Sequence, residues 1–332
     1  MDIAFIIETL VKVLVIVLIF SALAGIGTYF ERKVLAFMQR RLGPMHVGPY
    51  GLLQVAADGI KLFTKEDIIP QNVVAPIFKI APVITAATAF IAAAAIPFWP
   101  AFDFFGYTVH PIVSDINIGV LFVVAVMGVG LYGPLLGGMA SANKWSLISA
   151  ARAASVFISY EVITGLSLLA PLMTVGSLSL IDFNNYQIEN GWYIFSSPMA
   201  AVAFVLFLIA GFAETGRTPF HLVANDHEVI DGFGTEYSGM RWGLFAIGEY
   251  ANMFFISFLI ALIFLGGFGD GSVLGALALL GKVAFFFFFF LWTRAAWPDV
   301  RPDQLMWLCW KVLMPIAVIN VVIAGIWIMV KG

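Results

Sequence analysis

Long apolar runs separated by short polar connections make up most of the chain. Runs able to cross roughly 30 Å of hydrocarbon fall at about 3–30, 74–97, 116–139, 147–172, 197–213, 242–268, 273–296 and 305–330. They predict eight transmembrane helices, the fifth being the shortest. One further stretch has a different pattern. In "YGLLQVAADGIKLFTKE", Gln54, Asp58, Lys61 and Lys65 recur at helical spacing as a polar stripe, and Leu52, Ala56, Ile60 and Phe63 form an apolar one. At about 16 residues with lysines on one face it is too short and too charged to span. Residues 50–66 are therefore expected to form an amphipathic helix lying along the membrane interface. The expected fold is all-α, a polytopic integral membrane protein forming a single membrane domain over 1–332.

Basic residues test this count of spans. The 31–73 connection holds Arg32, Lys33, Arg40, Arg41, Lys61 and Lys65, whereas 98–115, 173–196 and 266–272 hold no Lys or Arg. Lys144 lies between spans three and four, Arg217 and Arg241 bracket the fifth-to-sixth connection, and Arg301 occupies the last with Arg294 beside it. The strict alternation follows the positive-inside rule, so 31–73 and 214–241 are expected in the cytoplasm and both termini outside it. The first apolar run is far longer than a signal-peptide core and lacks a basic leader and cleavage motif, so it is expected to stay as a helix.

Composition agrees with the pattern: 61% of residues are hydrophobic and 11% charged, far from the balance of a soluble domain. The formal charge of −3 matters less than where the charges sit. Cys309 is the single cysteine, which excludes a disulfide framework, a cysteine-ligated iron–sulfur cluster and a cysteine zinc site within the chain. Phosphate-binding glycine loops and dinucleotide fingerprints are absent, and "GFGDG" at 267–271 reads as a turn. "HEVID" at 227–231 has Asp231 where the zinc motif H-E-x-x-H needs its second histidine, so no metal site is expected. The phenylalanine run at 285–290 reads as a lipid-facing or packing surface, with contact to the apolar tail of a ligand as the alternative.

Acidic residues in and beside the spans are the candidate chemistry. Glu161 lies 14 residues into span four, roughly 21 Å along the helix, where a carboxylate is costly unless paired, hydrated or protonated. Arg152, nine residues earlier, falls on the opposite side of that helix. Glu249 sits about 12 Å inside span six, counted from Arg241. Glu214 closes span five, and Asp226, Glu228, Asp231 and Glu236 fill the connection between them. Ordered by depth, these acids descend from the connection past Glu214 to Glu249 and Glu161, as the mouth of a proton half-channel would. The alternatives are ordinary surface acids in the loop and a neutral, hydrogen-bonded Glu161.

Three stretches carry a family resemblance: "ERKVLAFMQRRLGPMHVGPYGLLQVAADGIKLFTKEDIIP", "ASANKWSLISAARAASVFISYE" and "EYSGMRWGLFAIGEYANM", with "VRPDQLMWLCWK" near the end. They resemble the H-type membrane subunit of respiratory complex I, the counterpart of mitochondrial NADH dehydrogenase subunit 1, nearly end to end. The resemblance implies a subunit of a proton-translocating NADH:quinone oxidoreductase in the bacterial inner membrane. It would join the peripheral redox arm to the membrane arm and border the tunnel that leads ubiquinone or menaquinone to the last iron–sulfur cluster. Quinone would be substrate, this chain would hold no redox centre, and FMN and iron–sulfur clusters would lie on partner subunits. The partners implied are peripheral-arm and small membrane subunits of the same complex, quinone and lipid, with no nucleic acid.

The resemblance also assigns roles to residues. Glu31, Arg32, Arg41, Asp58 and Lys61 match positions framing the quinone tunnel. Arg217, Arg241, Arg294 and Arg301 match basic positions near the quinone cavity, and Glu161, Glu214, Glu228, Glu236 and Glu249 match an acidic coupling channel. One segment departs. The family reads P-F-D-L-x-E-A-E-x-E-L-V-x-G-F where this chain reads "PFHLVANDHEVIDGF", so His221, Ala224 and Asp226 replace an aspartate and two glutamates. Many members also have Asn-Arg at Met45-His46. An imidazole exchanges protons near neutral pH, so His221 and Asp226 are candidate relays in place of the missing acids. Two other functions stay open: the equivalent subunit of an energy-converting hydrogenase, and a free-standing ion-coupled transporter. The latter would need a broken helix and internal repeats.

Overall fold

The computed structural model describes residues 3–99, 102–104, 107–109, 112–221, 230–269 and 271–331. All eight apolar runs fold as helices. Seven are long and apolar enough to cross a membrane and the eighth, Pro198–Glu214, is 17 residues. The chain is therefore polytopic and helical, as its pattern predicts.

Helix α1 (Ile3–Met38) runs eight residues past its apolar stretch because "ERKVLAFM" contains neither glycine nor proline. Glu31 and Arg32 thus sit on a helix and not in a connection. Helix α2 (Gln54–Thr64) is the amphipathic element, with no buried residue and with Ile60 and Phe63 exposed. In α3 (Ala75–Ala93), Pro82 has no N–H to offer the carbonyl of Phe78. The hydroxyl of Tyr237 donates to that carbonyl instead, at 3.1 Å, and its ring stacks on Phe78 at 4.0 Å. Burial holds that phenol above its usual range, opposed by the charge of Arg241. A short antiparallel hairpin, β1 (Phe102–Phe104) with β2 (Tyr107–Val109), is the one strand pair among the described residues, and hydropathy did not announce it.

Span three is two helices, α4 (Gly119–Gly130) and α5 (Tyr132–Ala140). Pro134 cannot donate to the carbonyl of Gly130, four residues earlier, and the helix breaks at Leu131. Helix α6 (Lys144–Val175) starts at Asn143, whose side chain accepts from Trp145 N at 3.0 Å, and stops at Gly176 in the left-handed conformation. Helix α7 (Leu180–Asn190) lies in the connection before α8 (Pro198–Glu214), which begins at the Ser197 cap. Helix α9 (Gly239–Phe264) is the central element, with 83% of its most apolar window buried. Around it lie α10 (Val273–Ala296) and a last span in which α11 (Pro302–Trp307) passes through a π turn, Leu308–Leu313, into α12 (Met314–Lys331). The phenylalanine run divides between two environments. Phe287 stacks on Phe254 at 4.2 Å and Phe290 packs edge-on against Phe212 at 4.4 Å, whereas Phe285 and Phe288 face outward.

Helix α7 is an element beyond the eight spans and α2. It secures the end of α9, whose last carbonyls have no helical donor. Gln187 donates to Leu262 O at 2.7 Å and accepts from Gly266 N at 2.7 Å and Tyr193 N at 3.2 Å. Asn184 accepts from Phe268 N at 2.9 Å and donates to Gly269 O at 3.1 Å. From α10, Lys282 donates to Leu265 O at 2.6 Å and Gly267 O at 3.0 Å. Burial also pushes the Tyr193 phenol up to about 12, against a hydrogen bond with Thr174.

Candidate functional site

The other end of the bundle gathers charge from three helices and a loop. Glu31 of α1 is 5% exposed and accepts from Arg217 Nη1 at 3.0 and 3.1 Å, from Tyr250 OH at 2.6 Å and from Arg294 Nη1. The Arg217 guanidinium lies 4.8 Å from the Tyr250 ring centroid and reaches toward Glu249, Nη2 to Oε2 3.9 Å. One carboxylate between two guanidiniums leaves net positive charge, which Glu249 and Asp231 counter across a cavity of about 290 Å³. Trp242 Nε1 donates to Asp231 at 3.2 Å on the same wall. The Nε of Arg217 is buried and has no partner among the described residues, a costly state unless something else supplies an acceptor.

A second, smaller void of about 40 Å³ lies at the break between α4 and α5. His221, Phe233 and Glu249 line both spaces. The smaller one adds Glu214, Thr215, Thr85 and Asn252. His221 Nδ1 is 2.7 Å from the carbonyl of Gly216. A carbonyl only accepts, so Nδ1 carries the proton of this hydrogen bond. Glu214 is 7% exposed and accepts from Thr164 of α6 at 3.4 Å. Thr164 lies three residues from Glu161, on the same face. Glu161 lies against Gly128 of α4, where a Cβ would overlap its carboxylate, and its side chain opens to the outside of the chain. One residue earlier, the Tyr160 hydroxyl is buried and without a partner among the described residues.

The sequence candidates therefore separate. Glu31, Arg217, Arg294, His221, Glu249 and Glu214 come together around two adjoining spaces, and Glu161 continues the line outward. Glu236 lies elsewhere, accepting from Asn143 Nδ2 at 2.7 Å at the start of α6. Arg241 pairs with Asp67 at 3.0 Å and sits over Phe78, pinning the loop after α2. Asp58 accepts from Arg32 at 2.6 Å and from Gln54 at 3.0 Å, which fastens α2 to α1. Lys61, Arg41 and Arg301 are exposed, Arg41 bonding Gln39 at 2.7 Å and Arg301 opening α11. Glu228 and Asp226, with Ala224 and His227, lie outside the described residues. Tyr250, Thr85, Thr164 and Asn252 were missed by sequence reasoning. A helical spacing from Glu249 points to Asn252, and adjacency points to Tyr250, but nothing local marks the other two.

The molecule is thus a polytopic helical membrane protein in which buried Glu214 stands between the part-exposed Glu249 and the exposed Glu161, with no cluster of metal-ligating side chains among the described residues. It matches the NADH dehydrogenase family over residues 11–325 and belongs to that family. It is 79% identical over 328 residues to the H subunit of NADH-quinone oxidoreductase from Sulfurimonas denitrificans, covering 98% of this chain and 99% of the relative. The same-named protein of a Nitratiruptor species is 71% identical over 329 residues, covering 98% and 99%, and that of Wolinella succinogenes 64% over 325 residues, covering 97% and 98%. The resemblance drawn from the long motifs holds, and with it the assignment to an enzyme's membrane subunit.

Proposed function

We propose that the chain is the quinone-facing membrane subunit of a proton-translocating NADH-quinone oxidoreductase in the bacterial inner membrane. The observation that carries this reading is the pair of adjoining spaces sharing His221 and Glu249, the larger held by Glu31, Arg217 and Arg294, the smaller by Glu214. Reducing a quinone to a quinol consumes two electrons and two protons. A cavity beside two guanidiniums favours the extra negative charge that arrives before the protons do. Proton movement would then pass from His221 and Glu249 to Glu214, and by way of Thr164 to Glu161.

Glu161 opens to the chain's exterior at mid-bilayer depth, where lipid is a poor neighbour for a carboxylate. A small membrane subunit of the same complex covers it on this reading. Peripheral-arm subunits bearing FMN and iron–sulfur clusters dock on the face holding α2 and the 214–241 connection, which is cytoplasmic. Asp58, Arg32, Arg41, Lys61, Arg241 and Arg301 shape that docking face and the tunnel mouth, while the family resemblance assigns Glu236 and Glu228 to the acidic coupling route, with Asp226 a candidate relay there. The names of the relatives favour quinone over the hydrogenase alternative.

The test is Glu161→Gln and Glu249→Gln in the assembled complex. Each keeps the shape and removes the exchangeable proton. Quinone-linked turnover and proton pumping should fall together at least tenfold, about 1.4 kcal/mol of barrier, with the complex intact. Normal quinone reduction and a normal pH gradient in both variants would overturn the reading.

A further inference from the structure

We infer that Asn252 is a positioning residue that holds a small body of internal water carrying protons between Glu249 and Glu214. The inference rests on the proton route proposed above and adds the element that route lacks. Glu249 and Glu214 line the same void, yet no hydrogen bond joins them among the described residues. A proton can pass between such groups only through something that both donates and accepts.

Asn252 is 8% exposed on the central helix, three residues after Glu249 and so on the same face. Its amide lines that void and makes no hydrogen bond to another side chain or to backbone among the described residues. A buried amide of this kind is satisfied by ordered water where protein supplies nothing. The space suits it. About 40 Å³ accommodates about three water molecules. Its lining includes Glu249, Glu214 and His221, with Thr85 and Thr215, whose hydroxyls donate to Ala81 O and Phe212 O and so have only their accepting capacity left. Pro134 adds a further acceptor, because it leaves the carbonyl of Gly130 without its helical donor at the same place. A water needs two to four polar partners, and this void provides them on several sides. Asn252 supplies both a donor and an acceptor that do not titrate, so it can orient water without trapping the proton.

The experiment compares Asn252→Leu, of similar size but apolar, with Asn252→Ser, which keeps a hydroxyl and enlarges the space. Both are assayed in the assembled complex reconstituted in vesicles, with its own electron donor and a short-tail quinone. The leucine variant should lose at least fivefold in quinone-linked proton translocation, and the solvent deuterium isotope effect on its residual rate should at least double. The serine variant should keep more than half of both activities. Equal behaviour of the two variants, whether both active or both impaired with an unchanged isotope effect, overturns the inference. Glu249→Gln in the same assay separates the layers. If it blocks pumping while Asn252→Leu does not, the route stands and the water site falls; if neither has an effect, both fall. Should the leucine variant fail to assemble, Thr85→Val, which lines the same void from α3, is judged by the same criteria.

Discussion

The end of α9 and the Glu31 cluster are both polar regions inside an apolar bundle, and they are satisfied in opposite ways. At the α9 end, Gln187, Asn184 and Lys282 spend their hydrogen-bonding capacity on backbone groups that the helix could not satisfy. At the other, Glu31 is fully engaged, but Arg217 keeps a buried N–H without a partner among the described residues, and the Asn252 amide faces a void. A region built only to hold shape completes its bonds internally. A region that must receive a substrate or pass a proton keeps donors and acceptors in reserve. Incomplete satisfaction beside a cavity is therefore the better marker of function than buried charge alone.

Substitutions at the two ends should part stability from turnover. Glu31→Ala leaves the buried Arg217 guanidinium and the half-buried Arg294 without their carboxylate, and breaking a buried pair costs about 3–5 kcal/mol. Loss of the assembled complex, or a large drop in its thermal midpoint, is expected, with Glu31→Gln milder; an unshifted midpoint in the alanine variant would show that the cluster does not hold the fold. Next comes Gln187→Leu, which strands the Leu262 carbonyl and the N–H groups of Gly266 and Tyr193, each at about 1–3 kcal/mol when buried. Its midpoint should fall while turnover per assembled complex stays unchanged. Altered turnover at full assembly would remove the distinction between the two regions. The smallest stability effect, about 1 kcal/mol, is expected for His221→Leu, which loses one hydrogen bond to Gly216. If His221 relays protons, His221→Asp retains most pumping and His221→Leu does not; equal activities would leave Glu249 and Glu214 to work without it.

The spans were legible because a run of some twenty apolar residues has few other uses. The α2 helix was legible from its two stripes. Helix α7 was not, since its buried face, Leu180, Phe183, Asn184 and Gln187, carries two amides where an apolar stripe would carry leucines. The break in span three was written in Pro134, but hydropathy averages over it. Within the site, sequence reached Glu31, Glu161, Glu214 and Glu249 because acids stand out against an apolar background. It could not pair them. Arg217 is 186 residues from Glu31 and Arg294 is 263, and no local spacing encodes contacts of that range. Nor does any local spacing join Glu236 to Asn143, the cap of α6, which lies 93 residues away.

The Tyr237 hydroxyl, which stands in for the N–H that Pro82 lacks, joins residues 159 positions apart. At ordinary synthesis rates of about 5–20 residues per second, roughly 10–30 s separate the emergence of α3 from the arrival of that hydroxyl. Over that interval α3 sits in the membrane with one carbonyl unanswered. The loop that carries Asp231 and Glu236 thus also completes the hydrogen bonding of an early helix, so α3 is finished only when that loop arrives.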